Sequence, residues 1–458
     1  MNSRLISVFF TSALLLFTSS VHLLYADSIV IRGVHLLTME NQGIVSGQTL
    51  IIEDGIIIWV GDDANADVPE GAKVISGEWY VMPGLAEMHA HIPPASQGTE
   101  RVKATLGLYL SQGVTTIRGM LGDPLHLEMR EMAREGEIMS PRIFTSGPSF
   151  NGNSATDPAT TRQMVREQAA AGYDLLKFHP GITLENFEAA TEEANRIGIE
   201  FSGHISIGVG LERTLASGKG TIDHLDRYME FLAGEAAERE DPPIIFFGYD
   251  LTPYAERSRM TIAAEMTRAA GVWNVPTNTL LENVFNPDYS IADMMNWPGM
   301  EYIAEQTKVG WSNYVNLIRN GEAYNPDLAR DFLNLRKEMT YALHQAGAGL
   351  LLGADAPQIF NPPGFSVHRE LALLTEAGLT PWEAIKTGTV NVGVYLGEEE
   401  TTGKIAPGFR SDLLLLSENP LESIPFNSYI EGVIIQGIYL SRTDLDEMLE
   451  EIQEILNP

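Results

Sequence analysis

The sequence predicts an α/β fold: a (β/α)8 TIM-type barrel with a small composite β domain built from both chain ends. Three observations predict it. Eight short apolar runs alternate with amphipathic stretches through the middle of the 458-residue chain, the order expected of parallel strands and crossover helices. Two β-rich stretches flank that middle. Histidines fall at the carboxyl ends of several runs, the face where such barrels gather their active sites.

Residues 1–26 read as a secretory signal. Arg4 is the one charge before Asp27, residues 5–24 are mostly apolar, and Leu24-Tyr25-Ala26 places a small residue at a cleavage point. An uncleaved anchor is the alternative. No later stretch is long and apolar enough to span a bilayer, so the expectation is export to a periplasm or medium, free of the membrane once the signal is removed. The first part of the β domain is expected at 27–82, from runs at 28–31, 49–53, 56–60 and 73–76. Asp54-Gly55 between two of them is a strong hairpin signal. Residues 83–399 form the expected barrel. Its strands are placed at 84–91, 114–118, 142–146, 175–179, 199–204, 221–224, 272–277 and 350–355, with helices such as 162–171 and 184–197 between. The long link at 281–335, rich in Asn, Trp, Tyr and Met, is read as a lid or substrate wall. Runs at 412–416 and 431–440 supply the second part of the β domain, 400–442. Leu445, Leu449 and Ile452 at helical spacing predict a C-terminal helix within 443–458.

Composition narrows the function. Lys+Arg is 30 against Asp+Glu 61, a formal charge of -31, which argues against a nucleic-acid partner. Eight Lys against 22 Arg accompany that acidity. There is no Cys, which removes disulfides, thiolate zinc sites and Cys nucleophiles. Any metal must be held by His, carboxylate or something less usual.

Four of the ten histidines, His89, His91, His204 and His224, fall at strand ends. His89 and His91 are two apart, so both rings point to one face of an extended strand. Neutral imidazoles converging with carboxylates make a site for zinc or a similar divalent ion. A single His at a strand end is more simply a satisfied polar residue; four of them with an Asp are not. Asp355 in Gly353-Ala354-Asp355-Ala356-Pro357 can take a proton from a water beside a metal; alone, it would read as a turn or cap. Lys177 lies in an apolar run where an unpaired ammonium is costly. A buried Lys keeps a reactive free amine, open to carboxylation by carbon dioxide; the bland reading is a Lys snorkelling to a strand end. His179 shares its face with Lys177. Arg227 and Tyr228, just after His224, and Arg118 are placed as grips for polar ends of a substrate, against plain loop solvation.

Met82-Pro83-Gly84-Leu85-Ala86-Glu87-Met88-His89-Ala90-His91 resembles the opening of a metal-dependent amidohydrolase superfamily barrel. Lys177, His204, His224 and Asp355 follow in that superfamily's order, and 381–389 and 403–413 resemble the helix and return segment that close it. The resemblance covers nearly all of 28–440. It is greatest to the imidazolonepropionase-related and Xaa-Pro or Xaa-Arg dipeptidase-like branch, whose members carry a carboxylated Lys. It implies two divalent ions, zinc by expectation: one held by His89, His91 and Asp355, the other by His204 and His224, bridged by the Lys177 carbamate. A hydroxide between them would attack a carbonyl while Asp355 passes the proton to the leaving amine. Glu87, where many members have Asp, and Gly119, where an acid is common, depart from the pattern.

The implied function is hydrolysis of a C–N amide bond in a small molecule, a dipeptide or N-acyl amino acid, by a chain that could form a homo-oligomer. A cyclic amide or lactone hydrolase is the alternative. From another class, a metal-holding ligand-binding protein without turnover also fits.

Overall fold

A computed structural model describes residues 28–238 and 246–456. The expected signal at 1–26 lies outside the described residues. Among those described, no helix is long and apolar enough to cross a membrane.

Strands from both ends of the chain share one eight-stranded sheet. Ser28–Leu36, Val45–Glu53, Ile56–Asp62, Lys73–Ser76 and Tyr80–Pro83 come from the first part. Leu413–Leu416, Ile430–Ile435 and Ile438–Ser441 come from the last. The join is Leu413–Leu416 against Tyr80–Pro83, antiparallel, Leu413 opposite Pro83. Asp54-Gly55 makes the expected hairpin, with Glu53 opposite Ile56. Both turn residues have positive φ, 47° and 74°, the backbone of a tight primed turn. Ile31, Leu50, Ile57, Leu413 and Ile434 fill a core of their own beneath this sheet.

The middle of the chain carries two parallel sheets. One orders Leu85–Ala90, Val114–Gly119 and Arg142–Thr145. The other orders Trp273–Val275, Thr221–Asp223, Glu200–Gly203 and Leu175–Phe178. Bridges between Ser146 and Leu175 and between Phe150 and Phe178 link them on one side. The expected eighth strand is not regular. Across 350–356 the chain forms only bridges, Leu350 to Asn274 and Ala356 to Ala90. It still hydrogen bonds both ways: Leu351 N donates to Asn274 O at 2.9 Å, and Met88 N donates to Leu352 O at 2.8 Å. The ladder is interrupted because Asp355 takes a left-handed backbone, φ 62°, and Pro357 has no N–H to pair.

Helices follow the strands with clear stops. Pro158–Ala171 starts at Asp157, whose carboxylate accepts from Ala159 N and Thr160 N, and ends at Gly172. Leu184–Ile197 starts at Thr183 and ends at Gly198. The region expected as a lid folds into Asn278–Phe285, Ile291–Met294, Glu305–Arg319 and the start of Pro326–Ala346. Arg442–Leu456 is the terminal helix; its Ile452 and Leu456 pack on Ala104 and Leu108.

Candidate metal centre

The site is assembled from the ends of the parallel strands. His89 lies inside Leu85–Ala90 and His91 just past it. Lys177 lies within Leu175–Phe178, while His204 and His224 each follow the last residue of a strand. His224 and Asp355 hold left-handed backbones, φ 61° and 62°. Non-glycine residues pay for that conformation, and such strain concentrates where side chains must be aimed.

The six side chains meet. His91 Nε2 and Asp355 Oδ1 are 2.7 Å apart, His89 Nε2 is 3.5 Å from the same oxygen, and His224 Nδ1 is 3.9 Å from Asp355 Oδ2. Ring centroids lie 4.5 Å apart for His89 and His224 and 4.4 Å for His204 and His224. Lys177 Nζ is 3.4 Å from His89 Nε2 and 3.7 Å from Asp223 Oδ2, with no exposed surface. Gly203 makes room for it, because a Cβ there would stand 2.7 Å from Lys177 Cδ. Among the described residues, His89, His91 and Asp355 form a group whose ligand atoms lie within 4.8 Å of one another.

Neighbouring groups suit these donors to a cation. Burial is the main cause lowering the pKa values of His89 and His224, with Lys177 adding to it at His89 and His204 at His224, which favours the neutral imidazole that a metal ion needs. Burial likewise lowers the Lys177 amine. Burial alone would raise Asp355, but the bond to His91 and the nearby His224 and Lys177 outweigh it and keep the carboxylate below its usual range. His204 Nδ1 lies 2.9 Å from Asp226 Oδ2, and His224 Nδ1 lies 2.7 Å from Thr277 Oγ1. His89 Nδ1 is 2.9 Å from Asp223 Oδ2, close to the carboxylate but off the direction of a hydrogen bond. In each of these three, Nδ1 faces an oxygen, the arrangement that orients histidines to ligate a metal through Nε2. The donor set therefore fits divalent ions.

Glu87, noted as a departure from the family pattern, ties the floor together: its Oε1 accepts from Ala354 N at 2.7 Å and His89 N at 3.2 Å. Asp223, Asp226 and Thr277 were not foreseen. The one signal for the two acids was their position on either side of His224 in Asp223-His224-Leu225-Asp226.

The centre opens into a cavity of about 860 Å³ lined by His179, Arg227, Ser206 and Gln358 and by several apolar side chains. His179 sits 5.2 Å from His204, ring to ring, and burial lowers its pKa to about 2. Arg227 donates through Nε to Ile205 O at 2.9 Å and through Nη1 to Glu230. Two expected substrate grips lie elsewhere. Tyr228 is 1% exposed, its hydroxyl 2.8 Å from Thr267 Oγ1 and 3.0 Å from Asn274 Oδ1; it faces the core because Arg227, at φ 66°, turns the chain before it. Arg118 is also 1% exposed. It is drawn into the strand layer by Met88 O, Tyr395 and Thr221 and stands apart from the cavity.

Parallel sheets with imidazoles and a carboxylate gathered past their strand ends define an α/β protein with a candidate metal centre. Residues 80–439 match the Amidohydrolase family, and the chain belongs to it. It is 25% identical over 408 residues to the ochratoxinase of Aspergillus niger, a match covering 82% of this chain and 78% of that one. Among solved structures, bottromycin amidohydrolase superposes with a TM-score of 0.72 at 21% identity, over 94% of this chain and 91% of its own. A Xaa-Pro dipeptidase with bound methionine in its active site superposes at 0.64 and 18% identity, over 90% and 100%. At those identities the two structures establish a shared fold.

Proposed function

We propose that the chain is an exported, metal-dependent hydrolase cleaving the C–N amide bond of a dipeptide or N-acyl amino acid. The observation that carries this reading is the meeting of His89, His91, Lys177, His204, His224 and Asp355, of which His89, His91, His204 and Asp355 line one cavity. His89, His91 and Asp355 would hold one divalent ion, zinc by preference, and His204 and His224 a second. Lys177, 3.4 Å from His89 Nε2, would bridge the two sets: its free amine can add carbon dioxide and release a proton, giving a carbamate with two oxygens to share. Bound divalent ions supply a Lewis acid and lower the pKa of water to about 7. Asp355 takes the proton of the attacking water and returns it to the leaving nitrogen. His179 and Arg227, on the cavity wall, are placed to hold substrate polar groups.

The same reading places a closed (β/α)8 barrel at 83–399 and a β domain from 27–82 and 400–442, supported by the bridges at Ser146, Asn274 and Ala90. Export rests on the apolar segment at 5–24. A library of dipeptides and N-acyl amino acids, assayed with zinc, manganese and bicarbonate, should release free amine. Silence across it together with turnover of lactones would overturn the amide assignment.

A prediction about the metal follows from Asp223. Its carboxylate faces His89 Nδ1, so Asp223→Asn should weaken metal retention about 10- to 100-fold, read as ion content after dialysis against graded chelator. Undiminished retention would remove Asp223 from the support of His89.

A further inference from the structure

The geometry points to an amphiphilic substrate: an N-acyl amino acid whose acyl group is an extended apolar chain lying against the apolar side chains of the cavity. This rests on the amide-hydrolase reading above. The cavity, about 860 Å³, is near the upper end of the roughly 300–1,000 Å³ that holds drug-sized ligands. A dipeptide of small residues leaves much of it unfilled.

Much of the lining is apolar: Leu121, Ile182, Ile207, Phe247, Leu280 and Ile359 contribute side chains to it. The Phe247 ring lies 5.5 Å from the His224 ring, beside the candidate metal centre, while Ile207 is 55% and Leu121 45% exposed. Large aliphatic side chains around a polar centre leave apolar surface in water unless a ligand covers it. Leu121, Ile182 and Ile207 each follow a different strand, so the apolar lining is a feature of the assembled fold.

Among the described lining residues, Arg227 carries the one guanidinium. Its Nε donates to Ile205 O and its Nη1 is ion-paired with Glu230, which fixes the group in place; the substrate carboxylate is assigned to the guanidinium edge beyond those two contacts. An anion at Arg227 places the amino-acid half of the amide there. The acyl half is then the part left to cover Leu121, Ile207 and their neighbours.

The test is a series of N-acyl amino acids with acyl chains of two to twelve carbons and a fixed amino acid, repeated for several amino acids. The expected result is a rise in kcat/KM of roughly two- to fourfold per added methylene over the middle of the series, full burial of a methylene being worth about fourfold. The double substitution Ile207→Ser with Leu121→Ser, at exposed positions where folding is little affected, should flatten that slope. Amine release that is flat or falls with chain length overturns the apolar-acyl assignment and leaves the hydrolase reading standing. A slope unchanged in the double variant overturns the placement against Leu121 and Ile207. Absence of amine release from every member, short and long, and from the dipeptide library as well, sinks the amide-hydrolase reading itself.

Discussion

Asp355→Asn is expected to lower kcat for amide hydrolysis by about 10²- to 10⁴-fold, the usual contribution of a positioned acid–base group. Asparagine keeps the shape and one carbonyl oxygen, so the contact with His91, now 2.7 Å, survives in part. What it cannot do is take a proton from water and return it to a leaving nitrogen. The residue stands 3.5 Å from His89 Nε2 and 3.9 Å from His224 Nδ1, so it also neighbours a histidine assigned to each proposed ion. Kinetics alone would therefore confuse lost proton transfer with lost metal. Elemental analysis of the same preparation separates them: ions retained with turnover lost locates the effect in the proton path, and ions lost locates it in ligation. A fall in kcat with little change in KM is the signature of a group acting mainly in the transition state. Full activity with ions bound would remove Asp355 from the chemistry.

The sequence exposed the candidate donors that meet at the site better than the residues that surround them. His89, His91, His204, His224 and Asp355 sit where a β run stops, and a run of alternating apolar residues tells where each strand ends and on which face. The spacing of Arg442–Leu456 and the Asp54-Gly55 turn were legible for the same reason, since each is decided by local chemistry. The supporting groups were not. Arg118 lies in an apolar run, and whether its guanidinium faces a ligand or the core depends on Thr221 and Tyr395, 103 and 277 residues away. Tyr228 misleads in the same way: one left-handed residue before it turns the ring inward. The stretch at 350–356 has strand composition, yet the left-handed turn at Asp355 breaks its ladder. The cavity wall was legible only as a region: 281–335 reads as a lid, but nothing in it foretells that Tyr314, from Glu305–Arg319, reaches the cavity.

Arg118→Ala should produce the largest loss of stability of any single substitution near the centre, about 3–5 kcal/mol, the cost of breaking a buried ion pair by removing one partner. The guanidinium donates to Met88 O at 2.8 Å, Tyr395 Oη at 2.6 Å and Thr221 Oγ1 at 3.1 Å. It lies 3.6 Å from both Asp223 and Glu200. Truncation would strand a fully buried Asp223 between Lys177 and His89, with Thr221 Oγ1, 2.6 Å away, as its remaining donor. The damage should then spread along the chain of contacts Arg118, Asp223, His89, so metal retention falls together with the midpoint of chemical denaturation. Arg118→Lys should recover little, because an ammonium on a longer, flexible stem cannot meet three acceptors in a fixed fork. Removing the partner as well gives the sharper comparison. If Arg118→Ala with Asp223→Ala is less unstable than the sum of the two single variants, the penalty lies in the stranded charge. An Arg118→Ala protein with unaltered midpoint and full metal content would mean that the buried guanidinium supports neither the strand layer nor His89.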